Sequence, residues 1–399
     1  MSMIQLIWSN IKHRRLSSLL TVILFTFGIG LILLMTQLDS QVEDSFKKNI
    51  KGIDLVIGAK GSPLQLILAS VYHSDFPTGN VKVSQLKKWY AHPQVKEGIP
   101  MSYGDGYMGY RMVGTEKTYL DHYEAKLKEG RYWEDHMEVV VGSIVASELG
   151  LKIGDEFASQ HGLDENAHAH NKILYKVVGV LEPNHSIIDQ IILSDIPSVW
   201  LVHDSEPVGK KFDHWTNYDD MSLTAMLLKF KSRYTAMMTV RRINEGSSIQ
   251  AALPIFELDR MMQLIGDASD VMKILSIIIL AISALGIFIS LFNKLEERKR
   301  DIALIRVMGG SRAFVFKMIL GEGVLVAIVS YCFGLIVSKI LLIYVNQMNE
   351  KSIYQFDLFK FDIFELYILA LAILIGTIAA LIPAMKVYKM QITNTIKHD

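Results

Sequence analysis

The densest chemistry in the chain lies in a short polar stretch, QHGLDENAHAHN, which places Asp164 and Glu165 between His161 and the pair His168 and His170. His168 and His170 stand two apart, which on an extended backbone turns both rings to one side. Imidazole and carboxylate donors of this kind suit zinc, nickel or copper. The same residues also make an ordinary solvated loop between two strands. His185, after Pro183 and Asn184, either joins them or ends a strand. A divalent metal is the one cofactor the residues themselves suggest. His73, His122, His136, His203 and His214 are scattered and read as surface or core residues.

No hydrolase signature accompanies these groups. There is no H-E-x-x-H and no G-x-S-x-G, and adjacent Asp219 and Asp220 would point to opposite faces of a strand. The segment GAKGSP (58–63) lacks the G-x-x-x-x-G-K-[ST] spacing of a phosphate-binding loop and reads as a turn. No catalytic residue is assigned, and the chain does not read as an enzyme.

The elements that carry these residues follow from where the apolar ones sit. Of 399 residues, 50% are hydrophobic, and 41 basic residues balance 41 acidic ones. A zero balance argues against a nucleic-acid binder, and the apolar content against a disordered polyelectrolyte. The single cysteine, Cys332, excludes an intramolecular disulfide, and its apolar setting reads as packing. Leu16–Leu38, Ile274–Asn293 and Leu366–Met385 carry no charge, and each approaches the roughly 20 apolar residues a bilayer core requires. A fourth apolar stretch, near Ala313–Tyr344, contains Lys317, Glu322 and Lys339, with Lys339 able to snorkel to an interface. Glu322 is the ionisable group within the membrane region that is expected to act. It lies either inside the span or close enough to the cytoplasmic edge to meet Lys317 or Arg312.

Basic residues orient the spans. Lys12, Arg14 and Arg15 precede the first, a run from Lys294 to Arg312 separates the second and third, and Lys386, Lys389 and Lys397 follow the fourth. The positive-inside rule puts both termini and the 294–312 segment in the cytoplasm. The N-terminus resembles a signal peptide, but its long apolar run and the absence of a small-x-small site read as an uncleaved anchor. The expected order is a cytoplasmic segment (1–15), span one (16–38), an external region (39–270), span two (271–293), a cytoplasmic segment (294–312) and span three (313–346). An external loop (347–363), span four (364–387) and a cytoplasmic tail (388–399) complete it. The fold class is therefore an α-helical membrane protein with one span before, and three after, a large extracytoplasmic α/β domain.

Helical spacing of Leu38, Val42, Phe46, Ile50 and Ile53, and of Ile255, Leu258, Met262, Ile265 and Met272, reads as two stalk helices continuing out of spans one and two and packed on each other. Between them the pattern predicts helices at 83–90, 143–149 and 232–244. It predicts strands at 106–114, 138–142, 173–180, 225–231 and 248–253. The arrangement expected is a small β-α-β platform split by an insertion at about 116–220.

The segment ERKRDIALIRVMGGSR (Glu297–Arg312), followed by Glu322 in the next helix, resembles the cytoplasmic coupling segment of the MacB/LolC/FtsX family of ABC-transporter permeases. Arg298 stands at that pattern's opening basic position. Asp301 replaces its usual glutamate, and Ile302, Arg306, Gly309, Gly310 and Ser311 follow in register. Gly310 stands where alanine is commoner. The ending LIPAMKVYKMQIT (381–393) and the external LKEGRYWEDHMEVVVGSIVASELGLKIGDEF (127–157) with YKVVGVLEP (175–183) are also similar to the family's, so the resemblance spans nearly the whole chain.

The resemblance implies a bacterial inner-membrane permease subunit with a MacB-like periplasmic core domain and no ATPase of its own. ATP would be used by a cytoplasmic ABC ATPase dimer, engaged through Arg298, Arg300, Asp301, Ile302, Leu304, Ile305, Arg306, Gly309, Gly310 and Ser311. A second permease chain, identical or a paralogue, would complete the complex, and a periplasmic adaptor or substrate protein is a further expected partner, besides membrane lipid. Work would be done by mechanotransmission on a lipoprotein, peptide or small amphiphile. Other members regulate cell-wall hydrolases, and metal-linked export or sensing through the histidines is a third reading.

Overall fold

The computed structural model describes residues 15–160, 169–203, 214–297, 299–348 and 356–389. The elements run α1 (Arg15–Ile50), β1 (Leu55–Ala59), α2 (Pro63–Ser70), β2 (Val81–Lys82), α3 (Val83–Tyr90), β3 (Val95–Tyr107), β4 (Tyr110–Thr115), α4 (Lys117–His122), β5 (Leu127–Gly130), β6 (Glu138–Val141) and α5 (Ser143–Leu149). They continue through β7 (Glu156–Gln160), β8 (Ala169–Leu181), β9 (Ile191–Ser194), α6 (Ile196–His203), β10 (Ser222–Leu223), β11 (Ala225–Phe230), α7 (Arg233–Gly246) and β12 (Ile249–Ala252). Last come α8 (Pro254–Glu297), α9 (Lys299–Val307), α10 (Arg312–Met348) and α11 (Ile363–Lys389). The chain divides into a helical unit and an α/β unit, with the divisions inside α1 after Val42 and inside α8 after Gln263.

In the helical unit, four helices among the described residues are long and apolar enough to cross a membrane: Leu19–Ile50, Ser269–Asn293, Arg312–Met348 and Ile363–Tyr388. Their inward faces share one cluster that includes Phe25, Ile29, Leu33, Leu280, Ile287, Val326, Ala372 and Ala380. Their outward faces are apolar as well: Ile274, Ile278, Ile282, Leu285 and Ile289 of α8 are all more than half or nearly half exposed. A surface of that kind is stable only when lipid or another apolar helix covers it. Cys332, expected in packing, is exposed on α10 and belongs to such an outward face. Lys339 does not need to reach an interface, because its Nζ lies 3.8 Å from Glu365 Oε1.

The α/β unit is built on a ten-stranded sheet in the order β12-β1-β11-β3-β4-β9-β6-β8-β5, with β7 pairing to β3 and β8; β10 and β2 form a separate ribbon. Alternation along the central strands buries both faces. Leu55 and Ile57 of β1 join Leu86 and Trp89 of α3 and Ala236 and Ile243 of α7. Val56 between them joins Leu66 and Ile67 of α2 on the other side. The helices expected at 83–90 and 143–149 occur with those bounds, the strands expected at 138–142, 225–231 and 248–253 differ by one residue at one or both ends, and that expected at 173–180 is longer, β8 starting four residues earlier.

Three expectations change. The strand expected over 106–114 is a hairpin, β3 turning into β4 at Met108 (φ 48°) and Gly109 (φ 86°). A two-residue turn with both φ positive matches strand twist, but methionine at its first position hides it. The segment 58–63 is not a simple turn: Gly58 and Ala59 end β1, and Ser62 caps α2, its hydroxyl accepting from Gln65 N with Pro63 in the first turn. The residues expected as an insertion extend the platform's own sheet, since β4 pairs in parallel with β9, Arg111 opposite Ile191 through Gly114 opposite Ser194.

The stalk pattern holds in part. Ile50 and Ile53 are buried and Phe46 packs beside them, although α1 itself ends at Ile50. On α8, Leu258 is buried and Met262 half-buried, but Ile255 and Met272 are exposed, so the inward stripe there is narrower than the spacing suggests.

Candidate functional site

Helix α9 owes its place to two apolar stripes. Ile302 and Ile305, three apart, face inward, where Ile302 is 4% exposed beside Leu295, Val315, Met318, Ile319, Ala384 and Val387 from the ends of α8, α10 and α11. Leu304, Val307 and Met308 lie on the other side and are 58%, 61% and 79% exposed. A helix needs only one apolar face to be held. The outward trio is therefore surplus to folding.

The turn that follows is fully hydrogen-bonded. Gly309 adopts φ 98°, its N–H donates to Arg306 O at 3.2 Å, and Gly310 N–H donates to Ile305 O at 2.9 Å. That pair of bonds, with glycine in the left-handed region, is a Schellman stop. Ser311 then caps α10, its hydroxyl accepting from Phe314 N at 3.0 Å. Gly310 is thus a turn residue rather than a helical one. A Cβ there would stand 2.7 Å from Ile305 O, so the glycine is set by space and not by helix propensity.

Of the other expected coupling residues, Arg298 lies outside the described residues, as do the side chains of Arg300 and Asp301, though both belong to α9. Arg306 is half-buried on the same helix. Glu322 is 5% exposed on α10. Ten residues beyond the helix start, it sits about 15 Å along the axis.

Two polar groupings in the helical unit escape sequence reading. Gln37 Nε2 donates to Glu365 Oε1 at 2.7 Å, Lys339 approaches the same oxygen, and Tyr331 OH donates to Glu365 O at 2.9 Å. These contacts tie α1, α10 and α11 together around a carboxylate that is 7% exposed. Asp39 accepts from Ser269 Oγ at 2.6 Å and pairs with Lys273 Nζ at 2.7 Å, joining α1 to α8. The available signal was the unlike charges on neighbouring helices, each needing a partner once out of water.

In the α/β unit His73 and His136 are engaged by hydrogen bonds. His73 is buried, with Nδ1 2.5 Å from Tyr103 OH and Nε2 2.8 Å from Tyr119 OH. Tyr103 OH donates to Ala69 O, so it accepts from Nδ1–H, and Nε2 accepts from Tyr119. Burial, and then the nearby Arg111, push the His73 pKa down to about 3. His136 bonds Asp195, which raises its pKa. Arg131 holds the Glu138 carboxyl down to about 2. His161 and His168 lie outside the described residues, and so does the side chain of His170. Among the described residues no three His, Cys, Asp or Glu groups are placed to share a metal.

Comparison with known proteins places these elements. Residues 18–252 match the family model described as MacB-like periplasmic core domain, and residues 273–392 match that of FtsX-like permease C-terminal. The periplasmic region of MacB from Actinobacillus actinomycetemcomitans is 14% identical, covering 55% of this chain and 97% of its own, with a TM-score of 0.35. The extracellular domain of the ABC-type transporter YknZ from Gram-positive bacteria is 13% identical, covering 50% and 98%, with a TM-score of 0.29. No curated protein matches the chain. The two family models together account for the α/β domain, the spans on either side of it and the segment that carries α9, and on that ground the chain belongs to the MacB/FtsX family of ABC-transporter permeases.

Proposed function

We propose that this transmembrane subunit works by mechanotransmission, with α9 as the surface on which a separate cytoplasmic ATPase acts. The observation that carries the reading is the split of α9. Ile302 and Ile305 fasten it to the ends of three long helices, while Leu304, Val307 and Met308 offer an apolar stripe that is exposed among the described residues. An amphipathic helix presenting such a stripe suits a groove on a partner. Displacing it would move α8 and α10 together. Helix α8 runs unbroken from Pro254 to Glu297 and α1 from Arg15 to Ile50, which makes both suitable levers toward the external domain. The material moved outside the membrane would be a lipoprotein, a peptide or a small amphiphile.

The test replaces Leu304 and Met308 by glutamate in the full-length chain and asks whether an ATPase co-purifies from detergent extracts. The expected result is loss of the ATPase with normal membrane insertion. Retention of a stoichiometric ATPase refutes the reading.

A further inference from the structure

We propose that the loop between α10 and α11 is a membrane foot, its aromatic rings seated among the phospholipid headgroups and upper acyl chains of the leaflet on the external-domain side. Phe356, Phe359, Phe361, Phe364 and Tyr367 fall within twelve residues of a chain that is 10% aromatic. Phe359 is 93% exposed and Phe361 64%, and Ile363, Phe364 and Tyr367 beside them are more than half exposed as well. Tyr344, near the end of α10, is turned outward too.

The exposure does not come from a slack loop. Phe356 N donates to Asn346 Oδ1 at 2.9 Å, and Asn346 Nδ2 donates back to Phe356 O at 2.8 Å. The next residue repeats the arrangement on another helix: Asp357 N donates to Gln41 Oε1 at 2.7 Å, and Gln41 Nε2 donates to Asp357 O at 3.2 Å. Two side-chain amides thus satisfy the backbone of consecutive residues and clamp them to α10 and α1. The carboxylates turn onto the loop's own backbone, Asp357 Oδ1 accepting from Phe359 N at 2.8 Å and Asp362 Oδ1 from Phe364 N at 3.1 Å. The polar groups hold the turn, and the rings are left outside it.

Depth and continuity say what covers those rings. The charge-free run of α11 starts at Leu366, so Ile363 stands about 4.5 Å beyond it along the axis. The headgroup layer is roughly 5–8 Å deep on each side of the hydrocarbon. Phe359 and Phe361 lie within four residues of that point, where aromatic side chains of membrane proteins collect. The outward stripe of Phe364 and Tyr367 continues along α11 through Leu371, Leu374, Ile378 and Ile382, all exposed and apolar, so the rings extend a face that the bilayer itself covers. A foot clamped at Gln41 fixes the height at which α1 leaves the membrane. It does so whether or not α9 docks an ATPase.

The experiment places a nitroxide at Phe359→Cys in the full-length chain, with Cys332→Leu as background, in phosphatidylcholine nanodiscs. Power-saturation electron paramagnetic resonance compares collisions with oxygen, which concentrates in lipid, and with a water-soluble nickel chelate. Oxygen should dominate at 359, as at Leu371→Cys on the outward face of α11, and the nickel chelate at Glu129→Cys, exposed on β5. Adding Gln41→Leu should sharpen the nitroxide line at 359 by releasing the clamp. A label at 359 that meets the nickel chelate as readily as one at Glu129→Cys overturns the proposal. So does shielding from both reagents with spin–spin broadening that unlabelled chain dilutes away, which puts a second copy over the rings. An unchanged line in the Gln41 variant overturns the clamp. If Phe359→Cys does not fold, Phe361→Cys carries the label instead.

Discussion

Gly323 of α10 and Gly376 of α11 meet backbone to backbone. A Cβ on Gly323 would stand 2.6 Å from Gly376 O, and one on Gly376 would stand 2.7 Å from Gly323 O. One turn along each helix the contact repeats with alanine, for the same two atoms would lie 2.7 Å from Ala380 Cβ and 2.8 Å from Ala327 Cβ. Gly323-x-x-x-Ala327 facing Gly376-x-x-x-Ala380 is the small-residue seam by which membrane helices approach closely without help from water. Glu322 immediately precedes this seam and is buried.

Gly323→Leu or Gly376→Leu should wedge the seam open and cost about 1–3 kcal/mol. Thermal unfolding of the detergent-solubilised chain would show it as a lowered midpoint. Cys332→Leu, on the exposed side of α10, should leave the midpoint nearly unchanged.

The two faces of α9 should separate stability from partner binding. Ile302→Ala removes a buried side chain and should destabilise the helical unit by about 2–4 kcal/mol. Leu304→Ala should alter stability by less than about 0.5 kcal/mol while weakening association with the ATPase. Melting curves and quantitative co-purification on the same two variants check both halves. Equal effects of the two variants on both measurements would sink the division.

The turn between α9 and α10 makes a sharper prediction about glycine. Gly310→Ala should destabilise, because its Cβ meets a backbone oxygen, whereas a helical glycine would gain from the change. Ser311→Ala removes the cap on α10 and should cost about 0.5–2 kcal/mol. Hydrogen exchange at the first turn of α10 would rise for Ser311→Ala.

Buried His73 should make the external domain acid-sensitive. Its folded pKa is about 3 against an ordinary 6.5, so the unfolded chain binds the extra proton. The contribution is fully present above pH 6.5 and is lost as pH falls from there toward 3, at up to about 1.4 kcal/mol per pH unit. His136 runs the other way: its folded pKa is raised, so its contribution is present below the ordinary value and fades as pH rises through the folded one. Tryptophan emission can follow the domain, since Trp89, Trp133, Trp200 and Trp215 all lie within it. His73→Asn, which tolerates the positive φ at this position, should flatten the acid limb.

The sequence made some of this legible and concealed the rest for physical reasons. Long charge-free runs and clustered basic residues disclosed the spans, because a bilayer imposes length and composition on a helix. The apolar set of α9 was visible, but not which members face inward, since Ile302 and Leu304 differ only in what surrounds them. Glu365 stayed hidden because it sits at the edge of a span and its partners, Gln37 and Lys339, lie on other helices. The sheet order was beyond pattern reading, for register between Arg111 and Ile191 depends on contacts 80 residues apart, and local periodicity carries no record of them.

The position of β1 has a consequence for biogenesis. Among the described residues its neighbours in the sheet are β11 and β12, which come from the far end of the domain. A chain emerging from its N-terminus therefore presents β1 early, as an apolar strand with both edges bare, and cannot cover the second of them until Ala252 has appeared. Two residues later α8 begins. The last strand to close the external sheet is thus the one that immediately precedes re-entry toward the membrane, which ties completion of the domain to insertion of the second span. Throughout the interval β1 is the segment most exposed to mispairing, and so the place where a folding chaperone outside the membrane would have most to protect.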